Sequence, residues 1–176
     1  MKREIVLSVA VMTTFLFACQ NPVERQKELN LEDEKVRGEI VFDDYGGTPL
    51  VINIEDYTLE NELFRRSIWT GEFFQLTVMS IPVGGEVGLE MHDDVEQFLR
   101  VEEGEARVMM GDYEDSLDFI KDASDDDIIL VPAGKWHNII NIGTEPLKLY
   151  SIYAKPEHAF GTVHKDKAES DADHHH

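Results

Sequence analysis

Two histidines stand in the body of this 176-residue chain, His92 and His137; the other five follow Pro156. Glu90 lies two residues before His92 and Gln97 five after it, within GLEMHDDVEQFLRVEEGEARV (88–108). Residues i and i+2 of a strand share a face, so Glu90 and His92 point the same way. Gln97 lies on the next strand segment and His137 on another. Four side chains converging from three segments could hold a divalent metal through nitrogen and oxygen donors, with room for water or a substrate. The same residues could instead be core histidines hydrogen-bonded to Glu90 and Gln97, with no metal. Glu96 is an alternative oxygen donor, but strand phase puts it on the opposite face from Gln97 unless a bulge intervenes.

The elements that must position these residues read mostly as strands. EIVFD (39–43) and LVINIE (50–55) flank the turn cluster Gly46-Gly47-Thr48-Pro49. Asp56 to Leu63 reads as a short helix with Asp56 as its N-cap. FRRSIW (64–69) and EFFQLTVMSI (72–81) follow, then two strands around Glu102-Glu103-Gly104-Glu105, where Gly104 suits a tight hairpin turn. Asp112 to Asp127 is acidic and irregular, with one strand around Phe119. Its Asp125-Asp126-Asp127 run reads as a solvated turn, because it lacks the spaced glycine loop of an EF-hand; Asp93-Asp94 reads as a turn beside the site. IILVP (128–132), WHNIIN (136–141) and LKLYSIYA (147–154) complete about ten short strands, the pattern of a sandwich or barrel. Arg65-Arg66 could give an anion contact, but alternation lets only one of them face inward, and a surface arginine is the default. Phe98, Leu99, Met109, Met110 and Trp136 read as core or dimer packing.

The formal net charge is -20, from 36 acidic and 16 basic residues. Such a chain repels phosphate backbones, which excludes nucleic acid as a partner through its general field, and an anionic membrane surface is equally unsuited. The single cysteine, Cys19, rules out an intrachain disulfide. Lys2 and Arg3 precede an apolar stretch, Ile5 to Ala18, that is short for a bilayer span and ends in Leu16-Phe17-Ala18-Cys19. This resembles a bacterial lipoprotein signal (1–18), with Cys19 as the lipidated mature N-terminus. The resemblance implies an exported, periplasmic or membrane-anchored protein that meets the membrane only through its lipid. An ordinary secretory signal with an incidental cysteine is the other reading. Residues 19–38 are polar and charged without apolar period and read as a tether.

Two frames around the histidines carry a second resemblance. The first runs from Gly85 through Glu90-Met91-His92 and Gln97 to Gly104. The second is Pro132-Ala133-Gly134-Lys135-Trp136-His137, followed by Asn141. These are similar to the two motifs of the cupin family, and from Glu90 onward the spacing matches. The likeness covers about residues 39–156 and implies an all-β, single-domain jelly-roll β-barrel, the double-stranded β-helix. It also implies a metal centre at the positions of Glu90, His92, Gln97 and His137. The family's usual set is three histidines and a glutamate; here a carboxylate stands at the first histidine position and a neutral amide at the glutamate position. Zn, Mn, Fe or Ni would suit two imidazoles with two oxygens.

Cupins host many chemistries, so the fold does not select one. No Gly-x-Ser-x-Gly, nucleotide loop or usable nucleophilic cysteine is present. The leading expectation is a metal-dependent enzyme, isomerase- or dioxygenase-like, acting on a small oxygenated molecule, with Glu90 a ligand or the general base. The alternative is a non-catalytic, lipid-anchored protein that binds a small ligand or metal. A homodimer is expected by analogy with small cupins. Residues 157–176 form a polar tail in which His158 to Lys165 reads either as an ordered arm, near the barrel mouth or on a partner subunit, or as disordered chain.

Overall fold

β-Branched and aromatic residues in alternating phase build nine strands among the described residues of the computed structural model. It describes residues 39–173 and, before them, Asn21, Val23 and Arg25. The signal segment, Cys19, the rest of the tether and His174–His176 lie outside the described residues. The strands are β1 (Arg65–Thr70), β2 (Gln75–Ile81), β3 (Glu96–Glu103), β4 (Glu105–Gly111), β5 (Phe119–Ser124), β6 (Ile128–Val131), β7 (Trp136–Asn141), β8 (Leu147–Ala154) and β9 (Val163–His164). Helix α1 (Ile54–Glu60) precedes them and α2 (Lys167–Asp173) follows. One sheet has the order β6-β3-β8-β2-β1-β9, the other β5-β4-β7, and every pairing is antiparallel. The fold is an all-β jelly-roll barrel.

Cross-strand register sorts the inner face of the larger sheet into rows. Ile81 pairs with Leu147, and Met79 with Leu149, which pairs onward with Val101; all five are fully buried. Ala106, Val108 and Met110 of β4 and Ile139 of β7 close this apolar plug from the smaller sheet. Further along the same strands the inward phase turns polar. Ser67, Thr77 and Ser151 form one row, and Gln75, Tyr153 and Gln97 the next, all buried. The barrel therefore has one hydrocarbon end and one end lined with hydrogen-bonding groups. Interiors tolerate such groups only when they are partnered.

Several sequence expectations change. Residues 39–43 and 50–55 form no strand. Ile40, Phe42, Tyr45 and Ile52 instead pack with Tyr57, Ile68 and Val78 on the outer face of β1 and β2. The edge beside β1, where a further strand could have paired, is taken by β9. The first helix starts earlier than expected: Asn53, not Asp56, is the N-cap, its Oδ1 accepting from Glu55 N at 3.2 Å. Arg65, expected at the surface by default, is 1% exposed. The Asp125–Asp127 turn is exposed, with Asp126 paired to Arg100 and Asp127 Oδ2 accepting from Ser124 N at 2.9 Å.

Residues 157–173 form an ordered arm. Gln75 exchanges two hydrogen bonds with the backbone of His158, at 2.9 and 3.0 Å. Gly161 N donates to Asp44 Oδ2 at 2.9 Å, and Ser67 N to Thr162 O at 2.9 Å. β9 then extends the sheet and α2 follows over the polar end.

The two glycines that close the motif turns differ in what surrounds them. At Gly104, φ is +100°, and a Cβ would meet Leu147 Cα and Pro146 O at 3.1 Å. At Gly134, φ is +75° but the space is open. Gly104→Ala should therefore lose about 2–3 kcal/mol of stability and Gly134→Ala about 1. Urea denaturation midpoints of the two variants measure the difference; equal losses would contradict this account of the Gly104 turn.

Candidate metal centre

Residues 85–92 run beside β7 without forming a regular strand. Asn141 N donates to Gly85 O at 2.8 Å and Val87 N to Ile139 O at 2.9 Å. Glu90 and His137 then exchange both backbone bonds, at 3.0 and 2.9 Å. A pair bonded this way is directly opposed, so the two side chains leave on the same face. Beyond it, Gly134 N donates to His92 O at 2.8 Å. The Pro132–Gly134 turn thus starts the strand that carries His137 and also holds the loop that carries His92.

The convergence is close. Glu90 Oε1 lies 3.3 Å from His137 Nε2 and 3.5 Å from His92 Nε2. The three donor atoms all fall within 4.8 Å of one another. Each is buried, and none has a hydrogen-bond partner.

The outer ring nitrogens explain why this arrangement calls for a cation. His137 Nδ1 is 2.9 Å from Lys135 O, and a carbonyl only accepts, so Nδ1 carries the proton. His92 Nδ1 is 3.2 Å from Glu157 Oε1, which sets the same tautomer. In both neutral rings the Nε2 lone pair then faces the Glu90 carboxylate oxygen. Three lone pairs repel unless a proton or metal ion stands among them. Burial would raise the Glu90 pKa, but His137, His92 and the Arg65 guanidinium outweigh it and hold the carboxyl well below the usual range. Burial would lower that of His92, but Glu157 and Glu90 raise it to about 9. Two imidazoles and a carboxylate, with outer nitrogens anchored to oxygen acceptors, fit a divalent transition ion.

Gln97 sits on β3 opposite Tyr153, 3% exposed. Its Nε2 donates to Ser151 Oγ at 3.0 Å, leaving a buried Oε1 without a partner. Glu96 beside it is exposed. Asn141 is structural, because its amide nitrogen donates to Ile81 O and Glu145 O and its oxygen accepts from Gly143 N, all at 2.9 Å. Sequence reasoning missed Glu157, which no motif marks. It also missed Ser151 and Tyr153, whose signal was available: in Leu147, Leu149, Ser151, Tyr153 the inward phase of β8 switches from apolar to polar. Over the centre lies a cavity of about 440 Å³ lined by Glu90, His92, Glu157 and, from α2, Lys167, Ser170 and Asp171.

Comparison with known proteins agrees with this architecture. A family profile described as a cupin domain matches residues 77–153. The Bacillus subtilis protein YrkC is 52% identical over 131 residues, spanning 74% of this chain and 70% of that protein. The crystal structure of BH2720 from Bacillus halodurans superposes with a TM-score of 0.73 at 55% identity, covering 74% of this chain and 98% of the other. A Klebsiella pneumoniae protein with a double-stranded β-helix domain shares the fold at a TM-score of 0.51 and 20% identity, over 68% of this chain and all of that one.

In metal-free protein the His92 ring should keep its second proton up to about pH 9, against an ordinary 6.5. Its contribution to stability is then full below pH 6.5 and is lost as pH rises through 9. Glu157→Gln should move the titration downward. The His92 ring-proton chemical shift, followed against pH in both proteins, checks this; identical midpoints would mean that Glu157 does not hold the ring in solution.

Proposed function

The chain belongs to the cupin family, and from that premise we propose that it is a metal-dependent enzyme acting on a small oxygenated molecule. One observation carries the reading: Glu90 Oε1, His92 Nε2 and His137 Nε2 are buried, unpartnered and within 4.8 Å of one another. Gln97 Oε1, also buried and unpartnered, is the fourth donor in this proposal. Zn, Mn, Fe or Ni fits the set. A bound divalent ion would supply Lewis acidity toward an oxygen of the substrate.

The chain's own groups do the rest. Glu157 and the Lys135 carbonyl orient the two rings. Glu90, held ionised, is a ligand, or the base that takes a proton if His92, Gln97 and His137 suffice to hold the ion. Burial raises the Tyr153 phenol to about 12, so it stays protonated and can donate to a bound oxygen. Helix α2 contributes Lys167, Ser170 and Asp171 to the cavity wall. A non-catalytic binder of a small ligand or metal is the second reading, favoured by the neutral amide where the family carries a glutamate.

Elemental analysis of protein with His174, His175 and His176 replaced by alanine tests the centre. Stoichiometric metal is expected, lost in His92→Ala and His137→Ala. Glu157→Gln should weaken affinity by about 10–100-fold. Folded protein that takes up no metal even when soaked would overturn the reading. With metal held, turnover of a panel of hydroxy- and keto-compounds that disappears in Glu90→Ala supports the enzyme; ligand binding without turnover supports the binder.

We propose further that the protein is exported, anchored through Cys19, and paired as a homodimer. The first two rest on Lys2-Arg3, the apolar Ile5–Ala18 stretch and the small residue before Cys19; the last rests on likeness to small cupins. In bacterial cells fed labelled palmitate, label should enter the wild type and not Cys19→Ser. Unlabelled wild-type protein would remove the anchor.

A further inference from the structure

Arg65 is among the largest fully buried side chains, 1% exposed. Its Nη1 donates to Ser170 Oγ at 2.6 Å, its Nε has no partner, and its guanidinium lies 5.5 Å from the Phe64 ring centroid. Among the described residues no carboxylate pairs with it. One neutral hydroxyl, the Phe64 ring and the charge of Glu90 beyond salt-bridge distance are thin compensation for a buried guanidinium, which forfeits its hydration. Scarcity of acids is no explanation in a chain with 36 of them. Nearby polar groups are also unsatisfied: Tyr153 Oη, Thr77 Oγ1 and His164 Nδ1 are buried without hydrogen-bond partners. Arg65 pairs in register with His164 on β9 and Met79 on β2, two residues from Thr77.

Ser170 connects this charge to the centre. It lines the same cavity as Glu90, His92 and Glu157 while its hydroxyl covers the guanidinium. With a divalent ion in place, the ion and Arg65 together outweigh the carboxylates of Glu90 and Glu157 by one positive charge. A largely buried centre with that surplus favours a ligand carrying one negative charge. A phosphate dianion suits it less, because it would exceed that single surplus charge; Asp171, which also lines the cavity, is neutralised by Lys167 at 2.8 Å.

We propose that Arg65 is the anion-recognition residue of this site. It takes the carboxylate of a small monoanionic hydroxy- or oxo-acid in the place now held by the Ser170 hydroxyl. The ligand's neutral oxygen then faces Glu90, His92 and His137. That oxygen's role rests on the metal reading above; the carboxylate's does not. Because Arg65 is sealed under α2, the helix shifts to admit the ligand and recloses on it.

The test is calorimetric titration of zinc-loaded protein, with His174, His175 and His176 replaced by alanine, against glycolate and pyruvate, with ethylene glycol and inorganic phosphate as comparisons. Either acid should bind, and the diol should not. Arg65→Gln should weaken acid binding by about tenfold or more. Since that variant removes a buried side chain, Ser170→Asp provides the second arm. It places a carboxylate on Arg65, so it should raise the melting temperature, retain zinc and lose acid binding by a similar factor. Equal acid affinity in wild type and Ser170→Asp, diol binding as tight as glycolate, or tighter phosphate binding would each overturn the assignment. Zinc content of the same samples separates the two readings. Zinc held with the acids ignored overturns Arg65 alone. Without zinc the metal reading falls, and Arg65 then stands only if acetate raises the melting temperature of the wild type and not of Ser170→Asp.

Discussion

The backbone exchange between Glu90 and His137 is the contact on which the site depends. Its two hydrogen bonds, at 3.0 and 2.9 Å, oppose a loop residue to a strand residue and send both side chains to one face. Without it, a carboxylate and an imidazole would not be held with their donor atoms 3.3 Å apart. The loop around Glu90 has no regular strand of its own, so these bonds, the Gly134 N–H on His92 O and the bonds of Gly85, Val87 and Gly88 to β7 keep it in place. Rigidity is imported from β7, which is itself paired along its length to β4.

The barrel around that contact is divided along its axis. Met79, Ile81, Leu147 and Leu149 form a plug that supplies burial free energy and needs no partners. Gln75, Thr77, Gln97, Ser151 and Tyr153 occupy the same inward phase further along the same strands. A polar row inside a barrel weakens the hydrophobic core and is retained where it does other work. Here several of its atoms are left without partners beside the three converging donors, which is how a site differs from a satisfied polar network.

The C-terminal arm completes both fold and site. β9 covers the open edge of β1, an edge that would otherwise expose unpaired backbone groups. Glu157 reaches the His92 ring and Ser170 reaches Arg65, so residues following the last long strand orient one proposed ligand and cover the buried charge. His164 Nε2 lies 3.1 Å from Asp173 Oδ2, and Glu169 Oε2 accepts from Lys165 N at 2.8 Å, which folds α2 back toward β9.

Alternation and turn chemistry made much of the barrel legible in advance. WHNIIN and LKLYSIYA coincide with β7 and β8 because their inward residues recur with period two and glycine or proline bounds them. The motif spacings also singled out Glu90, His92 and His137 as a group, since short-range geometry on one loop and one strand is nearly enough to align them. Residues 39–55 misled because β-branched residues suit a sheet's outer face as well as a strand, and here Ile40, Phe42 and Ile52 pack on that face. Ser170, Glu157 and the choice of Arg65 as the buried member of its pair were beyond reach for a related reason. Their meaning lies in contacts across 65 to 105 residues of chain, such as His92 with Glu157 and Arg65 with Ser170. No local period encodes such contacts. By itself the sequence determined the strand pattern, the turns and the donor types; the tertiary structure decided which lone pairs face each other and which charge is sealed inside, because those follow from how the arm closes on the barrel.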